Sequence, residues 1–312
     1  MEYNKWIADL EAGDEIEGFY ILKTAQLKTS NNGKPFLAGA VADCSGTIDI
    51  KFWNYSCPQE EGVVIKLRGS VSDYRGTLQL ILTDLRPARE DDRYDLRDLV
   101  PTAPIDADAG WQELLEMAGR IGDPDYRSIC QSLLKDNEDR FRMLPGGKSM
   151  HHSFLNGLLM HTLYMARTAE YLAGLYSDVV DRDLLLAGTI LHDVAKCREF
   201  VTSPLGLVTE YSVPGELLGH LVMGAQAISD AAGKLGVPEE KSLLLQHMVL
   251  SHHGEPEFGA AVRPACAEAE LLSLIDLVDS RMEIYKEAME ETEPGRFSKR
   301  IFALDKKIFR HR

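Results

Sequence analysis

The stretch DRDLLLAGTILHDVAK, residues 181–196, decides how the larger part of the chain folds. It reads as a helix that is apolar nearly all round, and such a helix is buried. Directly after this apolar run come His192 and Asp193. Two ionisable groups in such a place are costly unless something pairs with them, and a metal ion does so directly. A lone buried histidine would be read as a hydrogen-bonded core residue. The adjoining aspartate argues instead for a pair of ligands.

Outward from this doublet, the histidines are unevenly placed: eight of the nine lie between residues 151 and 253. His161 falls on an amphipathic helical stretch beginning at Leu158, His220 follows the doublet, and His252-His253 close a helical stretch that begins at Ser242, with Gly254 as its expected C-cap. Asp276 lies on the next helix, in a polar stripe with Ser273, Asp279 and Ser280 opposite an apolar face of Leu271, Ile275, Val278 and Met282. Such a stripe is ordinarily a solvated face, and Asp276 stands out through its place in the wider pattern. His247 is assigned to packing and His311 to the tail. The ordered set His161, His192, Asp193, His220, His252, His253 and Asp276 supplies the imidazole and carboxylate groups that hold hydrolytic divalent metals. Mixed ligation of this kind suits Mn, Co, Fe or Zn better than Mg or Ca. The five cysteines are odd in number, widely spaced and without a CxxC pair, so they read as reduced thiols of a cytoplasmic protein and leave ligation to His and carboxylate. The longest apolar runs are too short to span a bilayer, and the acidic N-terminus lacks the pattern of a secretory signal.

The first part of the chain has a different period. Residues 16–29, 36–46, 47–54, 62–76 and 77–86 show alternating stretches rich in Val, Ile, Leu and aromatics, punctuated by turn formers at 30–33, 44–46 and 74–76. Five short strands in so little chain fit a small closed antiparallel barrel, since closure removes exposed edges. An oligonucleotide-binding (OB) barrel is the leading expectation and an SH3-like barrel the other simple one. Residues 89–109 are charged, Pro-containing and aperiodic, and read as a linker. The expected plan is therefore a β-barrel domain over 1–88, a linker over 89–109 and an all-helical domain over 110–312, an α+β multidomain chain.

The net charge of −15 excludes a protein that coats nucleic acid by general electrostatics. A local groove is another matter: from Gly18 to Arg89 there are nine Lys/Arg against six Asp/Glu. Phe36, Phe52, Trp53, Tyr55 and Tyr74 are interleaved there with Lys34, Lys51 and Arg75, a pattern that suits stacking of single-stranded bases beside held phosphates. Core packing is the default for any one of these aromatics. Tyr55 and Tyr74, beside turns, are the better stacking candidates, with Lys51 and Arg75 as their cationic neighbours. The C-terminal segment 296–312 holds seven Lys/Arg against one Asp and is expected to form an amphipathic closing helix packed through Ile301, Phe302, Leu304 and Ile308; lining a nucleic-acid path is its other reading.

The arrangement His161, His192-Asp193, Asp276 resembles the HD superfamily of metal-dependent phosphohydrolases, and His220 with His252-His253 resembles its two-metal branch. The resemblance implies one metal on His161, His192, Asp193 and Asp276, a second on His220, His252 and His253, and Asp193 bridging both. Lys196 corresponds to the lysine of the family's HDxGK form, with Ala195 where that form has Gly. It would sit near the non-bridging phosphate oxygens and stabilise the transition state. Residues 151–162, 191–196, 218–220, 248–259 and 275–282 resemble more narrowly the YhaM-type 3′→5′ exoribonucleases, which join an OB domain to an HD domain at about this length. That resemblance implies a pair of divalent ions with manganese as the default, and hydrolysis of single-stranded RNA from its 3′ end to nucleoside 5′-monophosphates. Single-stranded DNA is a second candidate substrate. His151 and His152 would touch phosphate or ribose. Two rival readings remain: an HD phosphodiesterase acting on a nucleotide or cyclic dinucleotide, and a nucleic-acid-binding module with an inactive HD domain. Neither a homo-oligomer nor a monomer can be read from the sequence.

Overall fold

The computed structural model describes residues 2–30, 32–147, 154–203 and 205–312. The chain divides into two compact units, Met1–Thr102 with Ser203–Leu205, and Ala103–Thr202 with Gly206–Arg312.

Five strands build the barrel of the first unit, β1 (Glu15–Thr29), β2 (Pro35–Asp43), β3 (Gly46–Trp53), β4 (Val63–Tyr74) and β5 (Thr77–Pro87), and the two-residue strand Glu2–Tyr3 pairs parallel with β1. β1 is long enough to serve two neighbours. Its first half pairs antiparallel with β4 (Ile16 opposite Gly69), its second half with β2 (Ala25 opposite Gly39), and a register shift between Leu22 and Thr24 bends it at the changeover. β2 and β3 form an antiparallel pair, as do β4 and β5, and a parallel pairing of β3 with β5 (Ile50 opposite Leu80) closes the sheet. This closed five-stranded order is that of an OB barrel. Alternate residues point inward, so Ile16, Tyr20, Leu22, Leu37, Ile50, Ile65, Leu67 and Leu80 fill the interior. Each such burial contributes about 1.5–3 kcal/mol. The β4–β5 hairpin turns on Arg75-Gly76, both with positive φ (58° and 85°), the type I′ geometry that matches strand twist. Most of the stretch read as a linker is irregular: it holds one 3-10 turn, Leu96–Asp98, with Leu99 and Val100 buried, and residues 107–109 already belong to the first helix.

The second unit is helical: α1 (Ala107–Gly119), α2 (Pro124–Met143), α3 (Gly157–Leu175), α4 (Arg182–Leu191), α5 (Lys196–Glu199), α6 (Val213–Leu235), α7 (Glu239–Ser251) and α8 (Ala267–Glu290), with a small hairpin of β6 (Phe200–Thr202) and β7 (Val208–Tyr211). Asp106, Asp123 and Asp181 cap α1, α2 and α4, each carboxylate accepting from two backbone N–H groups of the first turn. As its composition requires, α4 is buried along its length from Leu184 to Leu191, and it packs against α1, α2, α3, α7 and α8.

The C-terminal segment does not form the expected closing helix. Arg296–Phe297 (β8) pairs antiparallel with Phe309–Arg310 (β9), and a 3-10 turn lies at Phe302–Leu304. Asp305 adopts a left-handed φ of 51° between them, which interrupts any helix. Ile308 is buried but Phe302 is 98% exposed.

Candidate functional site

The helix α4 ends at Leu191, one residue before the doublet, instead of running through it. The reason is local. The His192 ring donates from Nδ1 to the carbonyl of Thr189 (2.8 Å), occupying an acceptor at the helix end. α7 ends in the same way: the ring of His252, its C-cap, donates from Nδ1 to the carbonyl of Val249 (2.7 Å). Both doublets, His192-Asp193 and His252-His253, therefore stand at helix C-termini, where the backbone dipoles favour a cation. In both rings the Nδ1 bond leaves Nε2 facing the cavity, where His192 Nε2 meets His161 Nε2 at 3.2 Å.

Around Asp193 these nitrogens fall into two groups. Its Oδ2 lies 3.2 Å from His192 Nε2 and 3.8 Å from His161 Nε2. Its Oδ1 lies 3.5 Å from His220 Nε2 and 3.8 Å from His252 Nε2. Asp276 Oδ1 joins the first group at 3.4 Å from His161 Nε2, and His253 packs its ring against His252 and His220 in the second. The structure thus brings together all seven of His161, His192, Asp193, His220, His252, His253 and Asp276. Ligand atoms of His161, His192 and Asp193 lie within 4.8 Å of one another, and so do those of His220, His252 and His253.

Two further carboxylates, not singled out as site residues from sequence, orient these rings. Asp279 Oδ2 accepts from His161 Nδ1 at 2.7 Å. Glu199 Oε1 accepts twice from one residue, from the backbone N–H of His220 (2.9 Å) and from its Nδ1 (3.1 Å). That double contact depends on a break in α6 at Gly219, whose φ of 70° and ψ of 163° suit glycine alone. The break frees the N–H of His220 to reach the carboxylate. Asp279 was legible as the residue one turn beyond Asp276 on the same stripe. Glu199 carried no sequence signal beyond its nearness to the doublet.

The two faces of α8 are distributed differently from expectation. Ala269, Leu272 and Ile275 are buried, whereas Val278 and Met282 are more than half exposed. His161 draws Asp276 and Asp279 to the inside, and the predicted apolar face is rotated accordingly.

The electrostatics fit a cation-binding cavity. Burial works against an ionised Asp193, but Lys196 and His192 outweigh it and hold the carboxyl well below its usual range. Burial likewise disfavours a charged Lys196, and Asp193 more than restores it. Burial, reinforced by His192, keeps His252 neutral far below the ordinary imidazole range, and burial with His220 does the same, less strongly, for His253. Neutral imidazole is the ligand form. Within this buried set, Asp193 Oδ1, His220 Nε2 and His253 Nδ1 have no hydrogen-bond partner. Orphaned buried atoms of this kind are rare. Divalent ions would satisfy all of them, so the residues present fit a metal pair. Lys196 is not free in the cleft: its Nζ donates to Asp193 Oδ2 (2.7 Å) and to the carbonyl of Gly146 (2.7 Å). His151 and His152 lie outside the described residues.

The barrel carries a separate candidate site, a groove of about 630 Å³ lined by Lys28, Lys51, Tyr74 and Arg75 among others. Lys51 Nζ lies 4.9 Å from the centre of the Tyr74 ring, and the Arg75 guanidinium 5.3 Å. Tyr74 is about half exposed, as is Trp53, which leans on Phe36. Tyr55 is placed otherwise. Its ring stacks on Phe52 at 4.4 Å and its hydroxyl accepts from Gln59, so one face is already covered.

The HD domain family matches residues 158–281, the span that holds the seven clustered residues. Over nearly its whole length the chain is similar to proteins named 3′-5′ exoribonuclease YhaM. That of Shouchella clausii (strain KSM-K16) is 36% identical over 310 residues, 98% of this chain and 96% of that one. That of Halalkalibacterium halodurans is 35% identical over 304 residues, 96% of this chain and 93% of that one. That of Geobacillus sp. (strain WCH70) is 36% identical over 98% of this chain and 94% of its own. Among solved structures, an OB domain of a Methanosarcina mazei protein is similar at 20% identity, with 29% of this chain and 88% of that one covered and a TM-score of 0.24. No helix among the described residues is long and apolar enough to cross a membrane. The chain belongs to the YhaM family of 3′-5′ exoribonucleases.

Proposed function

We propose that this protein hydrolyses single-stranded RNA from its 3′ end, releasing nucleoside 5′-monophosphates, with single-stranded DNA as a second substrate. The observation that carries the reading is the two-sided environment of Asp193, each of whose oxygens faces its own set of imidazole nitrogens. His161, His192, Asp193 and Asp276 would hold one divalent ion, and His220, His252 and His253, with Asp193, would hold the other. Mixed imidazole and carboxylate donors suit Mn, Co, Fe or Zn, and manganese is the one the family resemblance implies. When bound, such a pair supplies an acidified water as nucleophile and neutralises charge on the phosphoryl group.

The residues of the chain do the rest. Asp193 keeps the two halves of the site at a fixed separation, and Asp279 and Glu199 hold the His161 and His220 rings so that Nε2 points inward. Lys196 sustains the ionised Asp193 and offers its remaining N–H to a phosphoryl oxygen, where charge grows as water attacks. The bond from phosphorus to O3′ of the preceding nucleotide breaks, O3′ leaves with a proton, and the shortened strand again ends in a hydroxyl. In the barrel domain, residues 1–88, Tyr74 stacks a base while Lys51 and Arg75 hold phosphate. The helical domain, residues 110–312, carries the catalytic site, and contact with phosphate or ribose is the role kept for His151 and His152. Five free cysteines and the lack of a membrane-crossing helix among the described residues support a cytoplasmic enzyme.

The test is 5′-labelled single-stranded RNA incubated with Mn²⁺ and wild type or Asp193→Ala. A ladder shortening from the 3′ end with wild type alone is expected. Intact RNA with both proteins would send the site back to another phosphodiester.

A further inference from the structure

Beside the clustered ligands the helical unit has a pocket of about 400 Å³ between the loop after α7 and the outer face of α8. His252, His253 and Asp276 line its inner end, so it opens directly from the metal ligands. Its walls are Phe258 on one side and Leu274 and Leu277 on the other. Phe258 stands at the rim of a single 3-10 turn, Pro256–Phe258, and its exposed ring (73%) adjoins the exposed Leu274 and Leu277 in one apolar patch. Glu255, Glu270 and Ser273 complete the polar part, and no Lys or Arg is among the described lining residues.

We propose that this pocket takes the 3′-terminal nucleoside of the strand, an inference that rests on the exoribonuclease reading above. Hydrolysis at the strand end needs the scissile phosphate at the ligand cluster and one nucleoside beyond it. The pocket lies where that nucleoside must go, and its volume lies in the range of small-molecule sites. Its chemistry selects an uncharged group. The base stacks on Phe258 against Leu274 and Leu277, and the ribose hydroxyls donate to the carboxylates of Glu255 and Glu270. A strand that continued past this point would bring a second phosphate against Glu270, which no lining cation offsets, Glu255 being already paired with Arg263 (2.8 Å). The same pocket therefore accounts for action at an end: it admits a terminal hydroxyl and repels an internal or 3′-phosphorylated nucleotide.

Calorimetry on the Mn²⁺-loaded full chain tests this with three probes: adenosine 5′-monophosphate, ribose 5-phosphate and adenosine 3′,5′-bisphosphate. Wild type is expected to bind the monophosphate about tenfold tighter than ribose 5-phosphate, the scale of one stacked base, and tighter than the bisphosphate. Phe258→Ala should abolish the preference for the base and Phe258→Tyr should retain it; Glu270→Gln should narrow the gap to the bisphosphate. Equal binding of all three probes by wild type, or a base preference untouched by Phe258→Ala, would overturn the pocket. RNA shortening by the same wild-type sample would leave the exoribonuclease reading standing in that case. A base preference in a protein that leaves RNA intact would overturn the strand-end role together with that reading.

Discussion

The barrel groove and the helical metal centre are built on opposite principles. In the barrel, Lys51, Tyr74 and Arg75 stand in or near solvent, and both cations meet the one half-exposed Tyr74 ring. In the helical unit, His192, Asp193 and His252 are almost fully buried, and each of the two rings is held at Nδ1 by a backbone carbonyl while its Nε2 faces Asp193. Exposed cation–ring contacts are individually modest; buried polar groups act as a unit, because removal of one leaves the others unpaired. The barrel should consequently respond to substitution by degrees, and the metal centre by collapse.

The sharpest way to break that contrast is Asp193→Ala. It removes the carboxylate that faces both imidazole groups, and a fall in RNA hydrolysis on the order of a thousandfold or more is expected, with metal content measured on the same sample. Partial activity with both ions retained would mean that the site is not a unit. Next come the supporting carboxylates. Glu199→Gln and Asp279→Asn should each weaken metal binding about 10- to 100-fold, read by Mn²⁺ titration. Glu199→Gln should act on the His220 side and Asp279→Asn on the His161 side, so different sites should empty in the two variants. Tyr74→Ala should cost about tenfold in affinity for single-stranded RNA, with unchanged Mn²⁺ binding by the same variant as the control. Tyr55→Ala should cost little affinity, since Phe52 covers its ring, and should instead destabilise the barrel.

Arg75 gives the smallest and most diagnostic effect. An arginine at φ 58° occupies a position that a type I′ turn reserves for Asn or Gly, at a cost of about 1–2 kcal/mol. Arg75→Asn should therefore raise the melting temperature while weakening RNA binding and reducing its salt slope by roughly 0.7. A substitution that stabilises the fold and harms binding would mark the residue as kept for its charge. Unchanged RNA affinity would remove Arg75 from the groove.

Much of this was legible in the sequence because it depends on period and residue type. Alternation gave the barrel strands, and the clustering of His and Asp on apolar stretches gave all seven inner residues. What was hidden depends on hydrogen bonds between a side chain and a particular backbone group. Nothing in residues 181–196 says that the His192 ring will take the Thr189 carbonyl and mark the end of the helix there. The double grip of Glu199 on His220 needs the break at Gly219, which is visible only once the backbone turns. On α8 two apolar faces competed, Leu271/Ile275/Val278/Met282 and Ala269/Leu272/Ile275, and spacing alone could not choose between them. The C-terminal segment had helical spacing but closed as a strand pair, Phe297 on Phe309, because Asp305 turns the chain back.

A stepwise Mn²⁺ titration of metal-free protein, with bound metal and the rate of RNA shortening followed in the same sample, addresses the central claim most directly. Two ions should bind per chain, and hydrolysis should appear with the second equivalent. Full activity at one equivalent, or without added metal, would contradict a centre in which Asp193 joins two ions.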